Sequence, residues 1–424
     1  MWIKLRGKRL ILILGLFLCL TTLVFYGGTL YGKQLHSTVT SERKTNGLEN
    51  DRENVEQIAY EVARISKKQT SNDYLDKDTK VILLYSTFFF QRHWSWMVGK
   101  QTLEHFGSCD RYKDCLVTYD MSWINDAHAV LFHGRDLEAD YKRQYQPEQL
   151  RRVQDKISKK DQKWIYLSHE NPKNDPLMYG KYNGIFHWLA TFDRNSNIFI
   201  PYTNYIAKKN PHKVTRNYAK EKTGLVAWAV SNCGLLREDY ALELQKYITL
   251  TVYGLCSKRF KNQRSCAHFN DACSKELSTY KFYLAFENDF CHDYVTEKYW
   301  ERITQNVVPV VMGANYDKGV AIPGSYIDAS EFESIQKLAE YLLYLDKNDD
   351  EYNKYFAYKG KFELGNGSIY CPICAALHEQ KPGESSTAID LGKLFNYEKN
   401  CGIYKPKTEK LRKQIEESRK NRPA

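Results

Sequence analysis

Short apolar runs alternate with longer polar stretches along most of the chain beyond residue 80. Val81–Ser86, Leu116–Tyr119, Ala129–Phe132 and Trp164–Ser168 have the length and the β-branched and aromatic content of buried strands. Polar segments with helical spacing, such as Glu148–Lys159, lie between them. A second series begins near Leu225. It predicts a strand over Leu225–Val230, a helix over Arg237–Ile248, and strands at Thr251–Tyr253 and Lys281–Phe286. A helix from about Thr296, a strand over Val307–Met312 and a helix over Phe332–Leu345 complete it. Strands that alternate with helices predict parallel sheets, because a parallel crossover needs a helix-length connection. Two series therefore predict two Rossmann-like α/β domains facing each other across a cleft, divided within the polar, basic stretch Lys208–Gly224.

The N-terminus has a different pattern. Lys4, Arg6, Lys8 and Arg9 precede an uncharged apolar stretch, Leu10–Tyr26, which reaches Leu30 if its glycines are included. That length spans a thin bilayer, and the preceding positive charge places residues 1–9 in the cytosol and the rest in the lumen. The apolar core exceeds that of a cleavable signal peptide and no small-x-small site follows it, so an uncleaved signal-anchor over residues 10–30 is expected. Residues 31–78 are polar, without a strong apolar period, and read as a stem.

Net charge is +11, but it is concentrated at the ends. Residues 1–10 contribute +4 and residues 405–424 contribute +5, which leaves +2 for the folded middle. A nucleic-acid-binding surface is not supported. The tail after Lys405 is basic, with Leu411 and Ile415 as its only apolar side chains, and reads as a frayed end. Ten of the eleven cysteines follow the apolar stretch, and in an oxidising lumen they are expected to form disulfides. Cys371-Pro-Ile-Cys374 has no second Cys-x-x-Cys with which to build a zinc site. Asn366-Gly-Ser368 is the single N-glycosylation sequon.

Two places can carry chemistry. Trp164–Ser168 runs into His169-Glu170-Asn171-Pro172, and Glu170 would sit at the carboxyl end of a parallel strand, where α/β sheets bind ligands. A carboxylate there can act as general base. Position alone slightly favours an ordinary solvated loop glutamate, and His169 competes for the role, although a histidine there is more often a structural hydrogen-bonder. In the second half, Glu287 and Asn288 end a strand, Tyr294 lies in the following turn, and Glu297 and Lys298 open a helix. A carboxylate at a strand end can hold ribose hydroxyls, and a lysine at a helix N-terminus can neutralise a pyrophosphate. Lys281 and Arg237 are further candidate phosphate partners. Spacing alone reaches as far as a phosphorylated ligand at a strand–helix junction.

The segment Tyr280–Met312, with Phe286-Glu-Asn288, Asp293-Tyr-Val-Thr-Glu-Lys298 and Val308-Pro-Val-Val311, resembles the signature of the α1,3-fucosyltransferases. Cys115-Leu-Val-Thr-Tyr-Asp120, Ala129-Val-Leu-Phe-His133, Ile185-Phe-His-Trp188, Phe192-Asp-Arg194 and Trp228-Ala-Val-Ser-Asn-Cys233 extend the resemblance in the family's order. It implies a GT-B architecture with an acceptor-side domain over 79–215, a GDP-fucose-binding domain over 216–375 and a C-terminal extension over 376–424. It further implies an inverting transfer of fucose to the 3-hydroxyl of a GlcNAc residue, in a single-pass type II protein of the Golgi membrane. Glu170 falls where the family has its general base, although Asn171 replaces the usual serine. Arg237, Lys281, Glu287, Asn288, Tyr294, Glu297 and Lys298 fall on the donor side. Cys109 and Cys115, with Cys371 and Cys374, resemble the family's bridges between the two ends of the domain. No Asp-x-Asp pair lies in the α/β part, so no obligatory metal is expected, while stimulation by Mn or Mg stays open. The partners implied are GDP-fucose, a glycan acceptor and the membrane. The alternatives are a GT-B enzyme that uses another nucleotide-sugar and a silent glycan-binding homologue.

Overall fold

The computed structural model describes residues 78–420, apart from 92–93, 95–102, 106–108, 110–111, 113, 139–144, 158, 160, 174–178, 266–270, 314–315, 317–318, 366–367 and 382–386. The signal-anchor, the stem up to residue 77, Cys266 and the acceptor Asn366 of the sequon lie outside the described residues. Among the described residues no helix is long and apolar enough to cross a membrane.

The first half is built on strands β1 (Lys80–Leu84), β2 (Leu103–His105), β3 (Cys115–Thr118), β4 (Ala129–His133), β5 (Lys163–Ser168), β6 (Trp188–Thr191) and β7 (Ile198–Phe199). They form one sheet in the order β2-β3-β1-β4-β5-β6-β7, parallel except where β2 runs against β3. After the short β8 (Tyr205–Ala207), the second half contributes β9 (Gly224–Ala229), β10 (Leu250–Tyr253), β11 (Asn262–Arg264), β12 (Tyr280–Leu284), β13 (Val308–Val311) and β14 (Ile327–Asp328). All these pairs are parallel, in the order β11-β10-β9-β12-β13-β14. In order of appearance this is 3-2-1-4-5-6, the strand order of dinucleotide-binding domains. The strand order reverses between β9 and β12, and a crevice at that point is where such sheets hold nucleotides.

Both sheets are covered on two sides, which explains why their strands read as near-continuous apolar runs. Along β1, Val81 and Leu83 enter one core and Ile82 and Leu84 the other. Along β12, Phe282 and Leu284 face one core, and Tyr283 with Ala285 just past the strand faces the other. The period of two along a strand makes this division.

The chain crosses between the halves more than once. β8 pairs with β15 (Phe362–Leu364) in an antiparallel ribbon, so the outgoing and returning segments run side by side. The helix Tyr370–Glu379 then packs Ile373, Cys374 and Leu377 on the first sheet, where Cys109–Cys371 and Cys115–Cys374 pin it. The implied boundary at 375 is therefore too late, because Ile369, Tyr370, Ile373 and Cys374 already belong to the first core. Each bridge joins a cysteine near the start of the α/β part to one near its end. In the chain-entropy view a loop of this length is worth roughly 5 kcal/mol against the unfolded state. Leu391, Phe395 and Cys401 cover the other face of the same sheet.

The tail is also not frayed. Lys405–Lys420 is a helix that returns to the second half, with Leu411, Gln414, Ile415 and Ser418 buried. These positions recur every three or four residues and form one narrow stripe against the helix Leu236–Leu244 and its neighbours. Gln414 donates to the Phe332 carbonyl at 2.7 Å and Ser418 to Glu243 at 2.9 Å. Half of the buried stripe is polar, and so an apolar count misses it.

Candidate functional site

The site is assembled where strands of both sheets end. In the second half, Glu287 follows β12 and is buried. Its carboxylate accepts hydrogen bonds from the Thr296 backbone N–H at 2.8 Å and from Thr296 Oγ1 at 2.9 Å. Thr296 is the N-cap of the helix Glu297–Thr304, and its hydroxyl also accepts from the Lys298 backbone N–H at 3.4 Å. Lys298 Nζ lies 3.0 Å from that hydroxyl, 2.8 Å from Glu297 and 3.4 Å from Glu287. One ammonium is therefore held between two carboxylates at a helix N-terminus. Burial works against the Lys298 ammonium, but Glu287 and Glu297 outweigh it and hold its pKa above the usual lysine value. Burial pushes Glu287 upward, with Lys298 opposing. The pair is a fixed donor–acceptor corner, suited to ligand hydroxyls on one side and to ligand phosphate on the other.

Arg237, near the start of the helix Leu236–Leu244, is buried, and its guanidinium reaches back across the crevice. Nη1 donates to the Phe286 carbonyl at 2.7 Å and Nη2 to the Asn232 carbonyl at 3.3 Å, while Nε is buried with no hydrogen-bond partner. Burial lowers its pKa against the pull of Glu287 and Tyr294. The loop after β9 is shaped by the Cys233–Cys256 bridge and by Gly254 at φ +89°, where a Cβ would sit 2.5 Å from the Val230 carbonyl oxygen. Only glycine fits this close approach.

In the first half Glu170 stands just past β5. Its backbone N–H donates to Ser168 Oγ at 3.1 Å, and its carboxylate lies 3.6 Å from the Arg135 guanidinium. His169, the competing base, is otherwise engaged. Its Nε2 lies 2.9 Å from the Ile200 carbonyl, its ring stacks on Tyr202 at 4.7 Å, and burial pulls its pKa down to about 4. Asn171 is fully buried and donates to Asn288 Oδ1 at 2.9 Å, which joins the two halves beside Glu170. Tyr294 is buried against Phe192 at 4.7 Å. Burial raises its pKa well above the usual value, Glu170 raises it further, and Glu287 and Glu297 add to this against Lys298. Tyr294 thus sits in the field of Glu170 from one half and of Glu287 and Lys298 from the other.

A cavity of about 370 Å³ opens beside this corner, lined among others by Lys173, Arg237, Glu287, Asn288, Tyr397 and Arg412. A wider hollow of about 730 Å³ surrounds Pro211–Asn217 in the linker, and none of the expected site residues lines it. The structure brings Glu170, Arg237, Glu287, Asn288, Tyr294, Glu297 and Lys298 to one region and leaves Lys281 out. Lys281 begins the same strand, β12, but its Nζ bonds to the Asp346 carbonyl at 2.6 Å and pairs with Asp346 at 3.0 Å and Asp349 at 3.7 Å. It sits toward the amino end of a parallel strand, away from the edge that holds ligands.

Several contributors escaped the sequence. Arg194 donates to Asp293 through Nε at 2.9 Å and Nη2 at 2.8 Å, locking a residue whose φ is +55°. His292 lies between Asp193 at 3.1 Å and Asp293 at 3.2 Å, and Asn400 donates to Asp193 at 2.7 Å. Hydrogen bonds to Asp193 and Asp293 raise His292 to about 9, so it is an imidazolium at neutral pH. Asp193, His292 and Asp293 are close enough together to ligate a metal, but their charges are already balanced by His292 and Arg194. The Cys291–Cys401 bridge closes the same knot. Asp193 and Arg194 do lie in one of the resembling segments and Asp293 in another, but nothing in either segment says that they meet.

Two family descriptions match this chain, "Fucosyltransferase, N-terminal" over residues 77–203 and "Glycosyltransferase family 10 (fucosyltransferase) C-term" over 219–392. Glycoprotein 3-alpha-L-fucosyltransferase A of Drosophila melanogaster is 46% identical over 204 residues, which is 46% of this chain and 40% of that protein. Alpha-(1,3)-fucosyltransferase 7 of Bos taurus is 31% identical over 69% of this chain and 82% of its own length. The 4-galactosyl-N-acetylglucosaminide 3-alpha-L-fucosyltransferase 9 of Mus musculus is 33% identical over 70% of this chain and 75% of its own. With the matched segments covering both halves of the site, this chain belongs to the α1,3-fucosyltransferases of glycosyltransferase family 10.

Proposed function

We propose that the protein transfers fucose from GDP-fucose to the 3-hydroxyl of a GlcNAc residue in a glycoprotein glycan, with inversion at the anomeric carbon. The observation that carries this reading is the 2.9 Å hydrogen bond from Asn171 to Asn288, which brings the strand end bearing Glu170 in one half against the strand end bearing Glu287 in the other. The second half is then the donor side. Glu287 and Asn288 face the nucleotide's hydroxyls, and Lys298, Arg237 and the N-terminus of the helix Glu297–Thr304 face its pyrophosphate. The first half is the acceptor side. Glu170 takes the proton of the acceptor hydroxyl as its oxygen bonds to the anomeric carbon, and the bond from that carbon to the GDP oxygen breaks. Negative charge grows on the departing pyrophosphate, where Lys298 and Arg237 are fixed in advance to receive it.

These cations supply charge neutralisation that a metal gives in other transferases, and we propose that no divalent ion is obligatory, with stimulation by Mn or Mg as an added effect. We further propose a single-pass type II protein of the Golgi membrane with the catalytic part lumenal. The N-terminal apolar stretch after four positive charges supports this, as do the disulfides at Cys109, Cys115, Cys233, Cys256, Cys291, Cys371, Cys374 and Cys401. A donor panel tests the reading. The purified full-length chain, given a GlcNAc-terminated or N-glycan acceptor, is expected to transfer from GDP-fucose. Transfer from UDP-sugars but not from GDP-fucose would overturn it.

A further inference from the structure

We propose that the two-residue turn Phe89–Phe90 is an acceptor platform, on which the exposed Phe90 ring seats a sugar face while Arg135, held over Phe89, orients Glu170. The proposal rests on the reading of Glu170 as the base. Phe88 and Gln91 exchange both backbone hydrogen bonds, at 3.0 and 3.1 Å, so Phe89 and Phe90 are the two central residues of a tight turn. Both have positive φ, +47° and +65°. A two-residue turn with positive φ at both positions ordinarily takes Asn-Gly, and bulky aromatic residues there are strained. Such strain persists only where surrounding structure holds it, and it gathers at functional sites.

What holds it here is visible. The Phe90 N–H donates to the buried Asp136 carboxylate at 3.2 Å, and Asp136 lies 3.3 Å from His133, whose ring packs on Phe88 and Phe89. Phe88 and Trp94 are buried, which leaves Phe90, 58% exposed, as the ring presented to solvent. The Arg135 guanidinium carbon lies 5.5 Å from the Phe89 ring centroid, and its Nη1 lies 3.6 Å from Glu170 Oε1. The turn, the arginine and the candidate base therefore form one connected run of contacts at the carboxyl ends of β1, β4 and β5. The exposed Phe90 ring adjoins Phe89, which Arg135 links to the candidate base, and its flat apolar surface matches the C–H face of a pyranose. Arg135 contacts the base and not the reacting atoms, so it is a positioning residue.

The test is steady-state kinetics on the full-length chain with Phe90→Gly, Arg135→Met and Arg135→Lys, with Glu170→Gln as reference. Glycine suits a φ of +65°, so Phe90→Gly is expected to keep or raise the unfolding temperature and to leave GDP affinity unchanged. Its loss in kcat/KM should be about three- to tenfold and appear in the acceptor KM, the range expected for one aromatic contact. Arg135→Met should lose mainly kcat, and Arg135→Lys should recover part of it by restoring a cation. An acceptor KM within twofold of the parent for Phe90→Gly, with Glu170→Gln inactive, overturns the platform and leaves the base in place. A Glu170→Gln enzyme that keeps its rate overturns the base and, with it, the role of Arg135.

Discussion

Replacing Thr296 by valine isolates the corner that organises the donor side. Valine keeps the volume and the β-branch of threonine and removes only the hydroxyl. That hydroxyl donates to Glu287 Oε2 at 2.9 Å, caps the Lys298 N–H at 3.4 Å and lies 3.0 Å from Lys298 Nζ. An N-cap is worth about 1 kcal/mol. A hydrogen bond to a charged acceptor is worth roughly 1.5–3 kcal/mol, and losing it leaves a buried carboxylate short of one donor. One oxygen makes all these contacts, so the terms overlap, and a destabilisation of about 3 kcal/mol is expected. Unfolding entropy is ~2 cal/mol/K per residue, so over the unit Leu75–Ala424 that energy lowers Tm by about 4 °C. Differential scanning calorimetry of the full-length chain, with and without GDP, measures it. GDP should stabilise the variant less than the parent, because Glu287 and Lys298 have lost their shared anchor. A Tm change below 1 °C, with an unchanged GDP-induced shift, would mean that the Thr296 hydroxyl does not anchor Glu287 and Lys298.

Two other sites give independent checks. Lys281→Met should lower Tm by removing the pairs to Asp346 and Asp349 while leaving the dissociation constant for GDP within twofold of the parent; a tenfold weaker GDP affinity would place Lys281 at the donor after all. His292 is raised to about 9, so its contribution to stability is fully present below about pH 6.5 and is lost as pH rises through 9. Because His292 is partly exposed, the loss is about 1–2 kcal/mol, read as the parent-minus-His292→Asn difference in denaturant midpoint between pH 6.5 and 9.5. A difference that is flat or grows with pH contradicts the imidazolium assignment.

The strands were legible because both sheets are buried on two faces. β1, β4, β5, β9, β12 and β13 lie within a residue or two of the expected apolar runs. Edge and short strands were not legible. Asn262–Arg264 in β11 is wholly exposed and β14 has two residues, so neither has an apolar signature. The docked C-terminal helix was missed because half of its buried stripe is polar and is satisfied by hydrogen bonds to Phe332 and Glu243. At the site, motif residues were legible by type and neighbourhood, but direction was not. Lys281 and Glu287 share one strand run, yet a parallel strand offers only its carboxyl end to the ligand, and local sequence does not say which end a lysine serves. Arg135, Asn171 and the Asp193–His292–Asp293 knot act through contacts across about 35 to over 200 positions of sequence, which no local pattern encodes.

In the proposed mechanism Glu170, just past β5, removes the acceptor proton opposite a donor held by Lys298. The most direct measurement is single-turnover transfer from GDP-fucose by Glu170→Gln, with GDP affinity measured on the same sample. General-base catalysis contributes about 10²–10⁴-fold, so the rate should fall by at least about a hundredfold while the dissociation constant for GDP stays within twofold of the parent. A rate within tenfold of the parent, at unchanged GDP affinity, contradicts it.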